Sequence, residues 1–221
     1  MELDAERKGL IFSKGRLETL TDGVFAIIMT ILVFNITVPE LILFTEGEQA
    51  EERLSNKFAS LWPDILAYII SFATLGVYWL THHRIFRWIL NVNLPLIWIN
   101  ILFLMTIGFV PFSTTLLTQY LDRQISILAY SFNAILAGVI VYALYFYAKR
   151  HPELVDKTVP PLIGRRAGRR TIVTTLTYSV AILFSFIHLP ASWFLLLLVL
   201  IPELIPDRYF GKLQEPSELG S

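Results

Sequence analysis

The sequence predicts an all-α membrane protein with six spanning helices per subunit, and three observations carry that reading. Apolar residues make up 55% of the 221-residue chain and mean hydropathy is +0.60, above the roughly 45–50% typical of soluble domains. The excess lies in long runs near 17–38, 60–81, 94–118, 125–148, 170–189 and 191–206. A spanning helix needs about 20 mainly apolar residues. The cations are sorted as well. With the N-terminus inside, only Arg53, Lys57 and Arg123 of the 18 Lys and Arg fall on outer loops. That positive-inside bias places both termini on the cytoplasmic side.

Residues 1–15 read as a charged cytoplasmic segment. The apolar run that follows is too long for a signal peptide. This first span carries Asp22, Gly23, Thr30, Asn35 and Thr37. A carboxylate at membrane depth costs several kcal/mol on most scales, so it usually faces protein or a water-filled path. Gly23, Ile27, Thr30, Ile31 and Phe34 share one helical face, following the i, i+4, i+7, i+8, i+11 spacing. Two readings fit that stripe. One is ordinary helix packing, with Thr30 bonding back to the carbonyl four residues earlier. The other is a pore wall whose apolar rings gate by excluding water.

The outer loop 39–58 is acidic, with Glu40, Glu46, Glu48, Glu51 and Glu52. It reads as a solvated loop, or as a device that concentrates cations at an entrance. The second span closes with Trp79-Leu80-Thr81-His82-His83-Arg84. That end lies at the same depth as Arg16 and Asp22. A buried Asp needs a partner, so a polar cluster of Arg16, Asp22 and one of the two histidines is expected. Adjacent histidines point about 100° apart on a helix, so only one faces Asp22. The cluster serves as a register-holding contact, a proton relay or a metal site. The last is poorly supplied, with two His and one Asp and no HExxH motif.

The third span contains Asn100 and Pro111, and the proline predicts a kink relieved by neighbouring Ser and Thr. The fourth carries Asn133, Gly138 and a tyrosine series. Residues 149–169 form a cytoplasmic linker whose Arg165-Arg166-Ala167-Gly168-Arg169-Arg170 cluster is placed at the headgroups. Pro190 separates the fifth and sixth spans, which favours a helical hairpin over one broken element. Residues 16–206 thus form the transmembrane domain and 207–221 a polar cytoplasmic tail.

Several classes of chemistry are excluded. The chain has no cysteine, so disulfides and thiolate chemistry are out. No GxSxG, P-loop, GxGxxG or paired intramembrane carboxylate is present, so no enzyme, cofactor or metal is expected. No TVGYG potassium filter occurs, and no pair of broken helices marks a two-lobed transporter.

The stretch Arg16-x-x-x-Leu20-Thr21-Asp22-Gly23-Val24-Phe25-Ala26-Ile27-x-x-Thr30 resembles the signature R-x-x-x-F-S-D-G-V-F-A-I-x-x-T. That signature belongs to prokaryotic relatives of transmembrane protein 175, the endolysosomal potassium channel family. Trp79-x-x-His82-His83 and the Asn100…Pro111-Phe112 pattern agree with it. Leu20 replaces Phe and Thr21 replaces Ser.

The resemblance implies a potassium-selective or potassium-preferring cation channel in the cell membrane, without a conventional filter loop. Single-repeat members form homotetramers in which the first helix of each subunit lines a central pore. By motif position, Ile27 matches the innermost constriction, with Ile31 and Phe34 continuing outward. Phe34 is bulkier than the leucine expected there. Thr30 matches a threonine linked to selectivity. Arg16, Asp22, His82 and His83 match a network that positions the first helix. The implied partners are potassium ions, the lipid bilayer and three further copies of the chain; nucleic acid is not among them. Two competing readings remain from the residues. One is a proton-conducting or proton-coupled carrier that uses Asp22 and the histidines. The other is a non-transporting scaffold that binds anionic lipid through the arginine cluster.

Overall fold

The computed structural model describes residues 13–36, 59–158 and 162–198, and every regular element among them is helical. The acidic loop 39–58, the tail 207–221 and the end of the sixth predicted span lie outside the described residues.

Helix α1 spans Lys14–Ile31 and tightens into a 3₁₀ turn over Leu32–Asn35. Helix α2 spans Trp62–Trp88, with Pro63 in its first turn, where a missing N–H costs nothing. It runs past the predicted end at residue 81, so His82 and His83 sit within the helix. Helices α3, Leu94–Gly108, and α4, Val110–Gln119, replace the single third span. The break falls at Phe109, two residues before Pro111. The proline has no N–H, and its ring opposes the carbonyl four residues back. Hydroxyls occupy backbone carbonyls around the break: Thr106 donates to Phe103 O at 2.7 Å, and Thr114 to Val110 O at 2.8 Å. Asn93 caps α3 by accepting from Leu96 N at 3.2 Å.

Helix α5 spans Gln124–Arg150, α6 spans Leu162–Ser185 and α7 spans Leu189–Leu197. The last two form the expected hairpin. His188 caps α7, with its Nδ1 accepting from Ala191 N at 3.2 Å. Four stretches are long and apolar enough to cross a membrane among the described residues: Lys14–Asn35, Trp62–Trp88, Leu94–Gln119 and Gln124–Arg150. Helix α6, the fifth predicted span, begins at Leu162 rather than at residue 170, so the arginine cluster forms its first turns instead of a linker.

Gly164 and Gly168 explain how α6 seats there. A Cβ on Gly164 would lie 2.8 Å from Trp88 Cε3, and one on Gly168 would lie 2.7 Å from Tyr145 Cε1. Small residues four apart let backbones approach closely where lipid provides no hydrophobic drive. Arg165 faces outward, while Arg170 is only 2% exposed. One member of the cluster is therefore packed among the helices, while Arg165 is exposed. Beneath α2 the connecting loop docks by backbone bonds, Leu90 N to Leu154 O at 2.7 Å and Asp156 N to Trp88 O at 2.9 Å.

Candidate functional site along the first helix

Burial divides α1 into two faces. Leu17, Thr21, Phe25, Ile28 and Leu32 point into the subunit and are nearly or fully buried. They recur every three to four residues, so they form one stripe. Phe25 packs on Phe103 with ring centroids 5.9 Å apart. The opposite stripe is exposed among the described residues. Ile27 is 60% exposed, Ile31 41% and Phe34 77%, with Thr30 exposed between them. A Cβ on Gly23 would meet nothing within 4 Å. Thr30 Oγ1 donates to Ile27 O at 2.7 Å, three residues back rather than the expected four. Its hydroxyl proton is thereby occupied and its oxygen lone pairs remain open on the stripe.

The inner face is held by a directional hydrogen-bond chain through three helices. Thr21 Oγ1 donates to Leu17 O at 3.0 Å, Asn100 Nδ2 donates to Thr21 Oγ1 at 3.1 Å, and Asn100 Oδ1 lies 2.8 Å from His82 Nε2. Because an amide oxygen only accepts, the network assigns the proton to His82 Nε2. Thr21, Asn100 and His82 are all buried. The imidazole stacks on Phe86 at 4.1 Å and Phe103 at 5.8 Å.

This differs from the expected pairing of Asp22 with a histidine. Asp22 lies one residue beyond Thr21, so its side chain leaves the helix about 100° away from the buried face. There it accepts from Trp79 Nε1 at 2.8 Å. His83 stacks on the same Trp79, centroids 5.7 Å apart. Arg16 is exposed on the open side of α1. No hydrogen bond or ion pair joins it to Asp22 or to either histidine among the described residues. The four expected network residues therefore separate into one buried member, His82, and three at the surface. The buried core of the network includes Thr21 and Asn100. An isolated Asn in an apolar span is the sequence signal for that role, since a lone amide there needs a partner on another helix.

At its C-terminal end the first helix is tied down again. Asn35 Nδ2 donates to Pro111 O at 3.3 Å, and Thr115 Oγ1 lies 3.1 Å from Asn35 Oδ1. No group of three or more His, Asp or Glu that could hold a metal occurs among the described residues.

The fold and this site define a class: a membrane-spanning helical protein whose first helix is bolted inward and leaves an apolar, threonine-bearing stripe uncovered. Residues 16–111 match the family described as the endosomal/lysosomal potassium channel TMEM175. The chain is 31% identical over 182 residues to a potassium channel of Streptomyces collinus, covering 80% of this chain and 85% of that one. It is 35% identical over 161 residues to a potassium channel of Chamaesiphon minutus, covering 72% and 73%. The crystal structure of a lysosomal potassium-selective channel TMEM175 homolog from Chamaesiphon minutus superposes with a TM-score of 0.70 at 30% identity, covering 86% of this chain and 96% of that one. The human endosomal/lysosomal proton channel TMEM175 is 25% identical, and the chain spans 41% of its length. The chain belongs to the TMEM175 family.

Proposed function

We propose that this chain is a cation channel that prefers potassium, built from four copies with α1 of each facing a common axis. The observation that carries the reading is the uncovered stripe Ile27, Thr30, Ile31 and Phe34 on a helix whose other face is buried. One copy cannot enclose a path. A ring of copies places four identical stripes on one axis, because closed cyclic symmetry repeats the same face. Ile27, Ile31 and Phe34 then form stacked apolar rings that resist wetting, and the Thr30 oxygens offer ligands between them. In this reading residues 16–206 form the channel unit in the cell membrane, with both termini cytoplasmic. Two bacterial relatives bear the name potassium channel, which supports potassium as the ion. Animal relatives bear the name proton channel, which makes proton conduction the second reading. Asp22 is exposed on the same helix and is the acid such a path would use.

The test is ion flux into liposomes containing the purified chain, under potassium, sodium and proton gradients at clamped voltage. Potassium flux above sodium flux is expected. Ile27→Ala should raise it by about tenfold, equivalent to about 1.4 kcal/mol of barrier. Acid flux without potassium movement, abolished by Asp22→Asn, would replace this reading with the second. An unchanged potassium flux in Ile27→Ala would remove Ile27 as the constriction.

A further inference from the structure

We infer that Asn35 is a positioning residue that sets the outer mouth of the pore by clamping the end of the first helix to the break between α3 and α4. The inference rests on the reading of α1 as the pore wall.

The geometry is local and complete. The last turn of the first helix is 3₁₀, Leu32–Asn35, and Ile36 N closes it on Val33 O at 3.0 Å. Three side chains of this turn differ in their surroundings. Leu32 is fully buried and anchors it, Phe34 is 77% exposed on the stripe, and Asn35 is half-buried against the neighbouring helix. A 3₁₀ turn has poorer hydrogen-bond geometry than an α-helix and is used in short pieces. It holds its shape here with help from outside.

That help comes from Asn35. Its Nδ2 donates to the Pro111 carbonyl at 3.3 Å, which fixes the amide's orientation because a carbonyl only accepts. Its Oδ1 faces the Thr115 hydroxyl at 3.1 Å. Thr115 also lies 3.0 Å from Pro111 O, so its single proton is shared between two acceptors. Asn35 thus uses both ends of its amide on one turn of α4. Pro111 is the residue that breaks the third span. On the outward side of the break lies an apolar surface groove lined in part by the exposed Met105, Phe109, Phe112 and Phe132. Phe109 and Phe112 flank the proline. The clamp ties the first turns of α4, on the far side of the break, to the residue next to Phe34.

The test uses the absence of cysteine, which gives a silent background for single thiols. Phe34→Cys and Ile27→Cys are reconstituted, and the rate at which a small methanethiosulfonate reagent alters potassium flux is measured for each. Asn35→Leu and Thr115→Val are then added separately. Asn35→Leu removes both contacts, and because the Thr115 hydroxyl keeps its bond to Pro111 O, modification at Phe34→Cys should speed by about fivefold, the population change one ordinary hydrogen bond controls. The rate at Ile27→Cys should stay within about twofold, since one turn and more of unbroken helix separates it from the clamp. Thr115→Val should shift the Phe34→Cys rate in the same direction by less, because the Pro111 contact survives. Equal changes at both thiols, or none at either with folding intact by size exclusion, would overturn the clamp. If modification of neither thiol alters flux in the parent background, the pore reading itself fails and the clamp falls with it.

Discussion

Asn100 is the residue whose removal tests most directly how the first helix is held. Asn100→Leu keeps the branched shape and removes both polar ends of an amide that is fully buried among α1, α2 and α3. The consequences for its two partners differ. Thr21 keeps its bond to Leu17 O at 3.0 Å. His82 loses the acceptor 2.8 Å from Nε2 and is left with aromatic rings, Phe86 at 4.1 Å and Phe103 at 5.8 Å. A buried donor without a partner costs about 1–3 kcal/mol. Interhelical bonds in membranes average nearer about 0.6 kcal/mol, with a maximum near about 1.7. The estimate is therefore about 1–2 kcal/mol. At about 2–4 °C per kcal/mol for a chain of this size, the midpoint falls by about 2–8 °C. The assay is thermal unfolding in detergent, followed by tryptophan fluorescence and size exclusion. The decisive comparison is the same substitution in a His82→Phe background. There is no imidazole left to strand, so Asn100→Leu should be neutral or stabilising. An equal cost in both backgrounds would refute the reasoning, because the loss would then come from packing rather than from the His82–Asn100 bond.

Two further substitutions test the surroundings of the site. Gly168→Ala puts a Cβ 2.7 Å from Tyr145 Cε1, and Tyr145 is itself packed on Trp88 at 5.9 Å. The clash should cost about 1–3 kcal/mol, seen as a lower melting midpoint, and a wild-type midpoint would show that α6 does not approach α5 so closely. Trp79→Phe removes the donor 2.8 Å from Asp22 Oδ1. Interhelical hydrogen bonds in membranes average about 0.6 kcal/mol, so the cost should stay below about 1 kcal/mol, and a loss as large as that of Asn100→Leu would give the Asp22–Trp79 pair the role assigned here to Asn100.

The contrast between Asp22 and Thr21 shows where sequence reading stops. Composition singled out Asp22, because a carboxylate in an apolar run is conspicuous. The buried contact belongs to its neighbour Thr21, since one residue along a helix is a turn of about 100°. Only the packed neighbours reveal which of the two faces inward. The histidine pair repeats the lesson: His82 is 3% exposed while His83 lies at the surface, and the sequence offers both equally. Arg170 is a further case, buried at 2% exposure on a helix whose Gly164 and Gly168 seat closely against α2 and α5. No run of charge predicts that.

Other features were legible because they depend on local or one-dimensional rules. The apolar runs follow from bilayer thickness, and the break near Pro111 follows from a missing N–H and a ring clash. The helical face shared by Ile27, Thr30, Ile31 and Phe34 follows from a 3.6-residue period. The sequence by itself determined that the chain is helical, where its long apolar runs lie and which residues of α1 lie on one stripe. The tertiary structure alone decided which stripe is covered, which partner each polar side chain takes and where α1 is bolted down. Those choices depend on contacts between residues as far apart as Thr21 and Asn100 or Asn35 and Pro111, and a period along one helix carries no information about the helix that packs against it.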